Sequence, residues 1–337
     1  AARQNGDTLA EAKALIDIGK LYRAMTQPDQ ALTRYQQALT IATTLGDSTL
    51  QSNALEGVGK AHQEQGQFQE ALDSYEQVLA LVQKANLPTM EANALIQMGK
   101  VYRDLQQPTE ALSTYSDALT KAEMLNDAPL LAAINADMGA LYVTQQQPKD
   151  AQAAYEKALT LGRDLADTNL IRNVLEGLGG VQQGQQDYAG ALATYTELLS
   201  AVREASDAAS EGKTLVKIGQ LYRVQGDTEQ ALDYYQQART LAQSLNDQAL
   251  QAEVLDSVAR MQRDAGDVEQ ALQTYQDALK LAQESGNSGL ESRALENIGR
   301  FYRDTGQLTQ AMDFYQQLLV KAQAAADQRA EAGALDN

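Results

Sequence analysis

An all-α fold, built as a solenoid of helix-turn-helix repeats, is predicted for this chain of 337 residues by three observations. The sequence repeats every forty residues without insertion or deletion. Ala31, Ala71, Ala111, Ala151, Ala191, Ala231, Ala271 and Ala311 hold one slot, and Tyr35, Tyr75, Tyr115, Tyr155, Tyr195, Tyr235, Tyr275 and Tyr315 hold the slot four residues later. Both halves of each unit carry apolar residues at helical spacing, and no stretch alternates as a strand does. A period in this range marks a stacked array in which each unit buries its apolar face only against its neighbours.

The first half of each unit reads as helix A. In the last unit it presents Leu295, Ile298 and Tyr302 with Gly299 beside them; the matching sets include Leu15, Ile18, Gly19, Tyr22 and Leu215, Ile218, Gly219, Tyr222. The second half reads as helix B, through Ala311, Tyr315 and Leu318. Between the halves sit Gly66, Gly226, Gly266 and Gly306, where glycine allows a sharp turn. Pro28, Pro108 and Pro148 open helix B, and Pro88 and Pro129 precede or open helix A, positions that tolerate proline. Connections such as Leu45-Gly46-Asp47 and Leu245-Asn246-Asp247 supply a left-handed residue to end one helix and an Asp to cap the next.

The repeats are assigned to residues 8–47, 48–87, 88–127, 128–167, 168–207, 208–247, 248–287 and 288–326, in one array over 1–337. Residues 1–7 match the tail of a helix B, and 327–337 match the opening of a ninth helix A. Neither end has the polar cap usual for an array. The sequence is therefore expected to be part of a longer polypeptide, and its end repeats are expected to self-associate.

Lys and Arg number 27 against 45 Asp and Glu, a formal net charge of -18. Such a balance favours solubility and disfavours non-specific attraction to nucleic acid or an anionic membrane. There is no cysteine, which excludes disulfides, thiolate metal sites and cysteine nucleophiles and fits a reducing compartment. No apolar run approaches the roughly 20 residues of a membrane span, and no signal-peptide pattern opens the chain. A cytoplasmic protein is expected. His62, the single histidine, replaces tyrosine in a helix A slot and reads as a packed substitute rather than a base or ligand. Leu55-Glu56-Gly57-Val58-Gly59-Lys60 superficially suggests a phosphate loop, but it lies inside helix A and is followed by Ala61 instead of Ser or Thr. No catalysis, metal or cofactor is expected.

Leu295-x2-Ile298-Gly299-x2-Tyr302 followed by Ala311-x3-Tyr315 resembles the tetratricopeptide repeat pattern, and the match recurs eight times. The unit is forty residues instead of thirty-four, and the proline that usually closes helix B is missing, so helix B is expected to run longer. This longer unit is similar to that of Pins-type polarity adaptors and kinesin light chain. The resemblance implies a right-handed superhelix of eight repeats whose A helices line a concave groove that binds extended peptides.

The recurring tyrosines fill packing slots and read as core, not as an aromatic ligand box. Function is sought in slots free to vary. In helix A one slot reads Lys20, Lys60, Lys100, Ala140, Gly180, Gln220, Arg260, Arg300, and three residues on it reads Arg23, Gln63, Arg103, Val143, Gln183, Arg223, Arg263, Arg303. Ten of these 16 positions are basic and none is acidic. Both slots share a helix face, which the resemblance places in the groove. Pairing at i,i+4 accounts for Lys60 with Glu56, Arg260 with Asp256 and Arg300 with Glu296, but supplies no partner for Lys20, Arg23 or Arg223. Asn53, Asn93 and Asn173, one turn earlier, are placed to hydrogen-bond a ligand's main chain. The fourth helix A (Ala133, Ala136, Ala140, Val143, with Asn135 in place of Leu) and the fifth (Gly177, Gly179, Gly180, Gly184) predict a neutral, shallow-walled centre.

The sequence thus points to a non-catalytic scaffold that holds an extended acidic protein segment through Lys20, Arg23, Lys60, Lys100, Arg103, Arg223, Arg260, Arg263, Arg300 and Arg303. The alternative is the sensor or autoinhibitory arm of a larger enzyme, such as a protease or kinase. Nucleic-acid binding is disfavoured because no stacking aromatics interleave with the arginines.

Overall fold

A computed structural model describes the backbone of residues 7–335 and the side chains of residues 7–324. The described residues form helices and no strand. Two compact units divide them. The first contains α1 (Thr8–Ala24), α2 (Pro28–Leu45), α3 (Ser48–Glu64), α4 (Phe68–Lys84), α5 (Pro88–Asp104), α6 (Pro108–Leu125), α7 (Ala128–Thr144), α8 (Pro148–Asp164) and α9 (Thr168–Gly184). The second contains α10 (Tyr188–Glu204), α11 (Ala208–Gln225), α12 (Thr228–Ser244), α13 (Gln248–Asp264), α14 (Val268–Glu284), α15 (Ser288–Asp304) and α16 (Leu308–Leu335). Odd-numbered helices are the A helices and even-numbered ones the B helices.

A left-handed residue falls every twentieth position from Thr26 (φ 55°) to Gly306 (φ 79°). The extra length over a thirty-four-residue repeat therefore does not accrue to helix B: A and B helices alike span 17 or 18 residues up to α15. Glycine meets the conformation without strain at Gly66 (φ 73°) and Gly226 (φ 81°), whereas Thr26, Ala166 and Gln186 adopt it as side-chain-bearing residues. Entry to the A helices is capped as expected. Asp47, Asp127, Asp167 and Asp247 each accept a bond of 3.0–3.1 Å from the backbone N–H three residues on.

The expected connection near residue 326 is absent, because α16 continues unbroken to Leu335. Ala324, Ala325 and Ala326 stand there, and alanine is the strongest helix former. Of the expected partial repeat at 1–7, only Asp7 lies within the described residues, as the cap of α1. Residues 336–337 of the other lie outside them.

The repeating Gly–Tyr pair is the central packing device. Tyr115 is fully buried, and its ring lies against Gly99 so closely that an added Cβ would sit 2.6 Å from Cε1. Tyr35 on Gly19, Tyr155 on Gly139 and Tyr235 on Gly219 repeat the contact. Burial of each such ring stabilises the fold by about 1.5–3 kcal/mol, which offsets the cost of about 1 kcal/mol for a glycine inside a helix. Tyr35 and Tyr155 also reach the following A helix, at Gly57 and Gly177. In one cluster Ala31, Tyr35, Ala38 and Ala42 of α2 meet Leu50, Ala54 and Val58 of α3. Within each unit successive A helices approach one another directly, as α1 does α3 and α11 does α13, and no two B helices do so to a comparable extent. The fifth helix A is not broken by its glycines: α9 runs its full 17 residues, and Gly177 lies against the Tyr155 ring.

Candidate functional site: a ladder of ion pairs on the A helices

The ten basic residues do lie along the A helices, but they do not form a bare positive stripe. In the first unit Lys20 Nζ is 2.9 Å from Asp17. Arg23 crosses from α1 to α3, its Nε 3.0 and 3.1 Å from the two carboxylate oxygens of Glu64. Lys60 pairs with Glu56. Lys100 reaches from α5 to Asp137 on α7 at 3.2 Å, and Arg103 contacts both Asp104 (3.4 Å) and Asp137 (4.0 Å). Gln63, a neutral member of the slot, donates to Asp104 at 2.7 Å.

The second unit repeats the scheme. Arg223 of α11 pairs with Asp264 of α13. Arg260 is 2.9 Å from Asp256. Arg263 holds Asp264 at 3.1 Å and, on the next A helix, Asp304 at 3.2 Å. Arg300 pairs with Glu296, and Arg303 with Asp304 at 2.9 Å. Lys20, Arg23 and Arg223, left without partners by the sequence, therefore have them. Lys20 finds Asp17 three residues back on its own helix, while Arg23–Glu64, Arg223–Asp264 and Arg263–Asp304 all join residues forty-one apart, facing across two A helices stacked in register. The acid slot follows the basic slot by one residue in the next repeat. Sequence signals at i,i+4 do not reveal it.

Polar residues without charge extend the ladder. Asn297 Nδ2 donates to Asp256 at 2.7 Å, and Gln220 donates to the Ser257 hydroxyl at 3.3 Å. Asn53 and Asn173 are exposed and Asn93 is half-buried on the A helices, none with a side-chain hydrogen bond among the described residues. Asn135 is buried instead, its Nδ2 donating to the Leu131 carbonyl oxygen at 2.7 Å, which explains how an amide occupies a leucine slot.

Burial shapes the electrostatics. The Asp137 and Asp256 carboxyls are raised above the ordinary Asp range by desolvation, which outweighs the pull of Lys100 and Arg103 on the one and Arg260 on the other. The helix B tyrosines end beneath the same ladder. Burial pushes Tyr235 and Tyr275 up to about 12, with Arg223 and Arg260 among the charges that act on the first and Asp256 and Arg263 on the second. The hydroxyls of Tyr35, Tyr75, Tyr115 and Tyr235 make no hydrogen bond with the described residues.

Two cavities open on these helices. In the second unit Arg260, Arg263, Arg300 and Arg303 converge with Asn297 and Tyr275 around a polar cavity of about 350 Å³. In the first unit Val143, Pro148, Tyr155, Gly177, Gly180 and Gly184 line a largely apolar cavity of about 600 Å³, at the stretch read as a neutral, shallow-walled centre. His62 bonds to the Gln67 side chain at 2.6 Å between α3 and α4, as a packing residue would. Among the described residues no cluster of three potential metal ligands occurs, and no helix is long and apolar enough to cross a membrane.

Helix pairs stacked at a fixed forty-residue period, locked by a Gly–Tyr contact, define a repeat protein of the α-solenoid class. The tetratricopeptide repeat profile matches residues 3–84, 90–164, 170–244 and 250–319, and the chain belongs to the tetratricopeptide repeat family. No curated protein matches it. Solved structures share the fold at low identity. A signal transduction ATPase with numerous domains (STAND) protein with a tetratricopeptide repeat sensor, from Pyrococcus horikoshii, aligns with TM-score 0.71 and 14% identity, over 97% of this chain and 50% of that one. This chain thus spans half the length of that protein. The apo quorum sensor NprR from B. thuringiensis aligns with TM-score 0.66 and 12% identity, over 92% and 87% of the two chains. A Rap protein complexed with Competence and Sporulation Factor aligns with TM-score 0.54 and 13% identity, over 97% and 100%.

Proposed function

We propose that the chain is a non-catalytic, cytoplasmic interaction scaffold that holds an extended, acidic protein segment against its A helices. The observation that carries this reading is the four-arginine cavity of the second unit. Arg300 and Arg303 keep 50% and 57% of their side-chain surface exposed despite their ion pairs, so an incoming carboxylate reaches them without unfolding the ladder. Exposed pairs of this kind are worth only about 0–1 kcal/mol, and a multivalent acidic segment competes with the internal carboxylates at small cost. Asn53, Asn93 and Asn173 would bond the segment's main chain, and Lys20, Arg23, Lys60, Lys100, Arg103 and Arg223 would extend the contact along each unit. Self-association through the end helices belongs to the same reading.

The test reverses the Arg263–Asp304 rung, at the loss of the Arg263–Asp264 and Arg303–Asp304 pairs. Arg263→Glu with Asp304→Arg keeps a pair of opposite charges across α13 and α15 but inverts its polarity. In titration calorimetry with an extended Asp/Glu-rich peptide at low salt, the reversed protein is expected to bind at least about tenfold more weakly than the parent. Equal affinity for both would remove the arginine cavity from the binding site.

The second reading, a sensor or autoinhibitory arm of a larger enzyme, is favoured by the likeness to the STAND protein, of which this chain matches half. In that case the acidic segment belongs to the same polypeptide, and the parent reading frame encodes it.

A further inference from the structure

Where two A helices stack, their basic slots meet at four corners, and the residues at those corners change along the chain. Between α3 and α5 they are Lys60, Gln63, Lys100 and Arg103; between α11 and α13 they are Gln220, Arg223, Arg260 and Arg263. Between α13 and α15 every corner is arginine. Arg260, Arg263, Arg300 and Arg303 are also the four that line the polar cavity of about 350 Å³. No other stacked pair within either unit replaces all of its Lys and Gln in this way.

The rest of the lining suits an anion. Asn297 stands where α7 carries Asp137, so a neutral amide takes the place of a carboxylate. Tyr275 is buried, and burial pushes its hydroxyl up to about 12, which keeps it protonated and a donor at neutral pH. Asp304 is the one carboxylate among the lining residues, and Arg263 at 3.2 Å and Arg303 at 2.9 Å neutralise it. Two of the arginines keep donors to spare. Arg300 meets Glu296 through Nη2, and Arg260 meets Asp256 through Nε at 2.9 Å, whereas a planar guanidinium carries several further N–H groups.

We infer that this cavity receives the phosphate group of a phosphorylated side chain in the bound segment. The inference rests on the reading of the A helices as the seat of an acidic segment, and it names the chemistry of one residue in that segment. At neutral pH a phosphate monoester presents a charge of about −1.5 to −2 and three strong acceptor oxygens, more than the carboxylate of Asp or Glu offers. Guanidinium groups match those oxygens in pairs, where an ammonium acts as a point charge. Four guanidiniums around one cavity donate from several sides, which suits a tetrahedral group better than the planar one of a carboxylate. Clustered arginines are a recurring means of reading phosphorylated motifs.

The test is titration calorimetry at low salt and neutral pH, with three peptides that share one Asp/Glu-rich sequence and differ at a single central residue: Ser, Glu or phosphoserine. The phosphoserine peptide is expected to bind at least about tenfold more tightly than the Glu peptide. Arg260→Lys combined with Arg300→Lys keeps both charges and removes two planar donors, and circular dichroism checks that the helices remain. In that variant the preference for phosphoserine is expected to fall to about threefold or less. Inorganic phosphate alone is expected to bind far more weakly than the phosphoserine peptide. Equal affinity for the Glu and phosphoserine peptides overturns the phosphate inference and leaves the acidic-segment reading standing. Failure of all three peptides to bind overturns that reading and the inference with it. A preference unchanged by the two lysine substitutions removes the phosphate from this cavity. Inorganic phosphate as tight as the phosphoserine peptide overturns the inference in favour of a free anion.

Discussion

Arg263 holds two carboxylates on two helices at once, with Nη2 3.1 Å from Asp264 of α13 and Nη1 3.2 Å from Asp304 of α15. One guanidinium therefore ties a helix end to itself and to the next repeat. A double-mutant cycle on Arg263→Ala and Asp304→Ala, followed by urea unfolding, is expected to give a coupling of about 0.2–1 kcal/mol at low salt that fades as salt is raised. A coupling of zero at low salt would mean the rung is geometric only.

Gly99→Ala places a methyl group 2.6 Å from Tyr115 Cε1. The ring is fully buried and has nowhere to retreat. The substitution is expected to destabilise by roughly 1–3 kcal/mol in spite of alanine's higher helix propensity. Adding Tyr115→Leu is expected to recover part of that loss. Gly184, with nothing within 4 Å of its virtual Cβ, is the control, and its replacement by alanine is expected to stabilise. Equal effects at both glycines would refute the Gly–Tyr lock.

Two left-handed turns make a contrasting pair. Gly226 adopts φ 81° between α11 and α12, and Ala166 adopts φ 52° between α8 and α9. Thermal unfolding is expected to show Gly226→Ala losing about 1 kcal/mol and Ala166→Gly gaining about 0.5 kcal/mol, because the left-handed conformation is strained for any residue with a Cβ.

Asp137 provides the pH test. Burial raises its carboxyl above the unfolded value, and Lys100 and Arg103 offset that only in part. A raised folded-state pKa means the group's contribution is present below the unfolded pKa and is lost as pH rises through the folded one. Carboxyl-carbon NMR is expected to show Asp137 titrating above the ordinary 3.8. In Asp137→Asn, the relative stabilisation on acidification through that window is expected to vanish. A titration midpoint at or below the ordinary value would contradict the dominance of desolvation.

The fold was legible because the chain supplies its own comparison. A slot filled by Tyr eight times over is a packing slot whatever surrounds it, and the prolines and glycines mark boundaries that the helices obey. Legibility ended where contacts leave the repeat. Arg23 and Glu64 are forty-one residues apart, and only stacking of α1 on α3 makes them neighbours. The partner was nonetheless implicit in the register, since Glu64, Asp104, Asp264 and Asp304 each follow a ladder slot by one residue. Non-glycine turns such as Gln106 and Ser206 stayed hidden for another reason: the left-handed residue is imposed there by the helices on either side, against local preference.

The rungs that cross between A helices also act on the mechanics of the array. Prising α13 from α15 must first part Arg263 from Asp304, and prising α1 from α3 must part Arg23 from Glu64. Such bonds resist small displacements, reform when tension is released, and soften as ions screen them. Along these edges the ion pairs add to the packed core a restraint that weakens as the ionic strength of the surroundings rises.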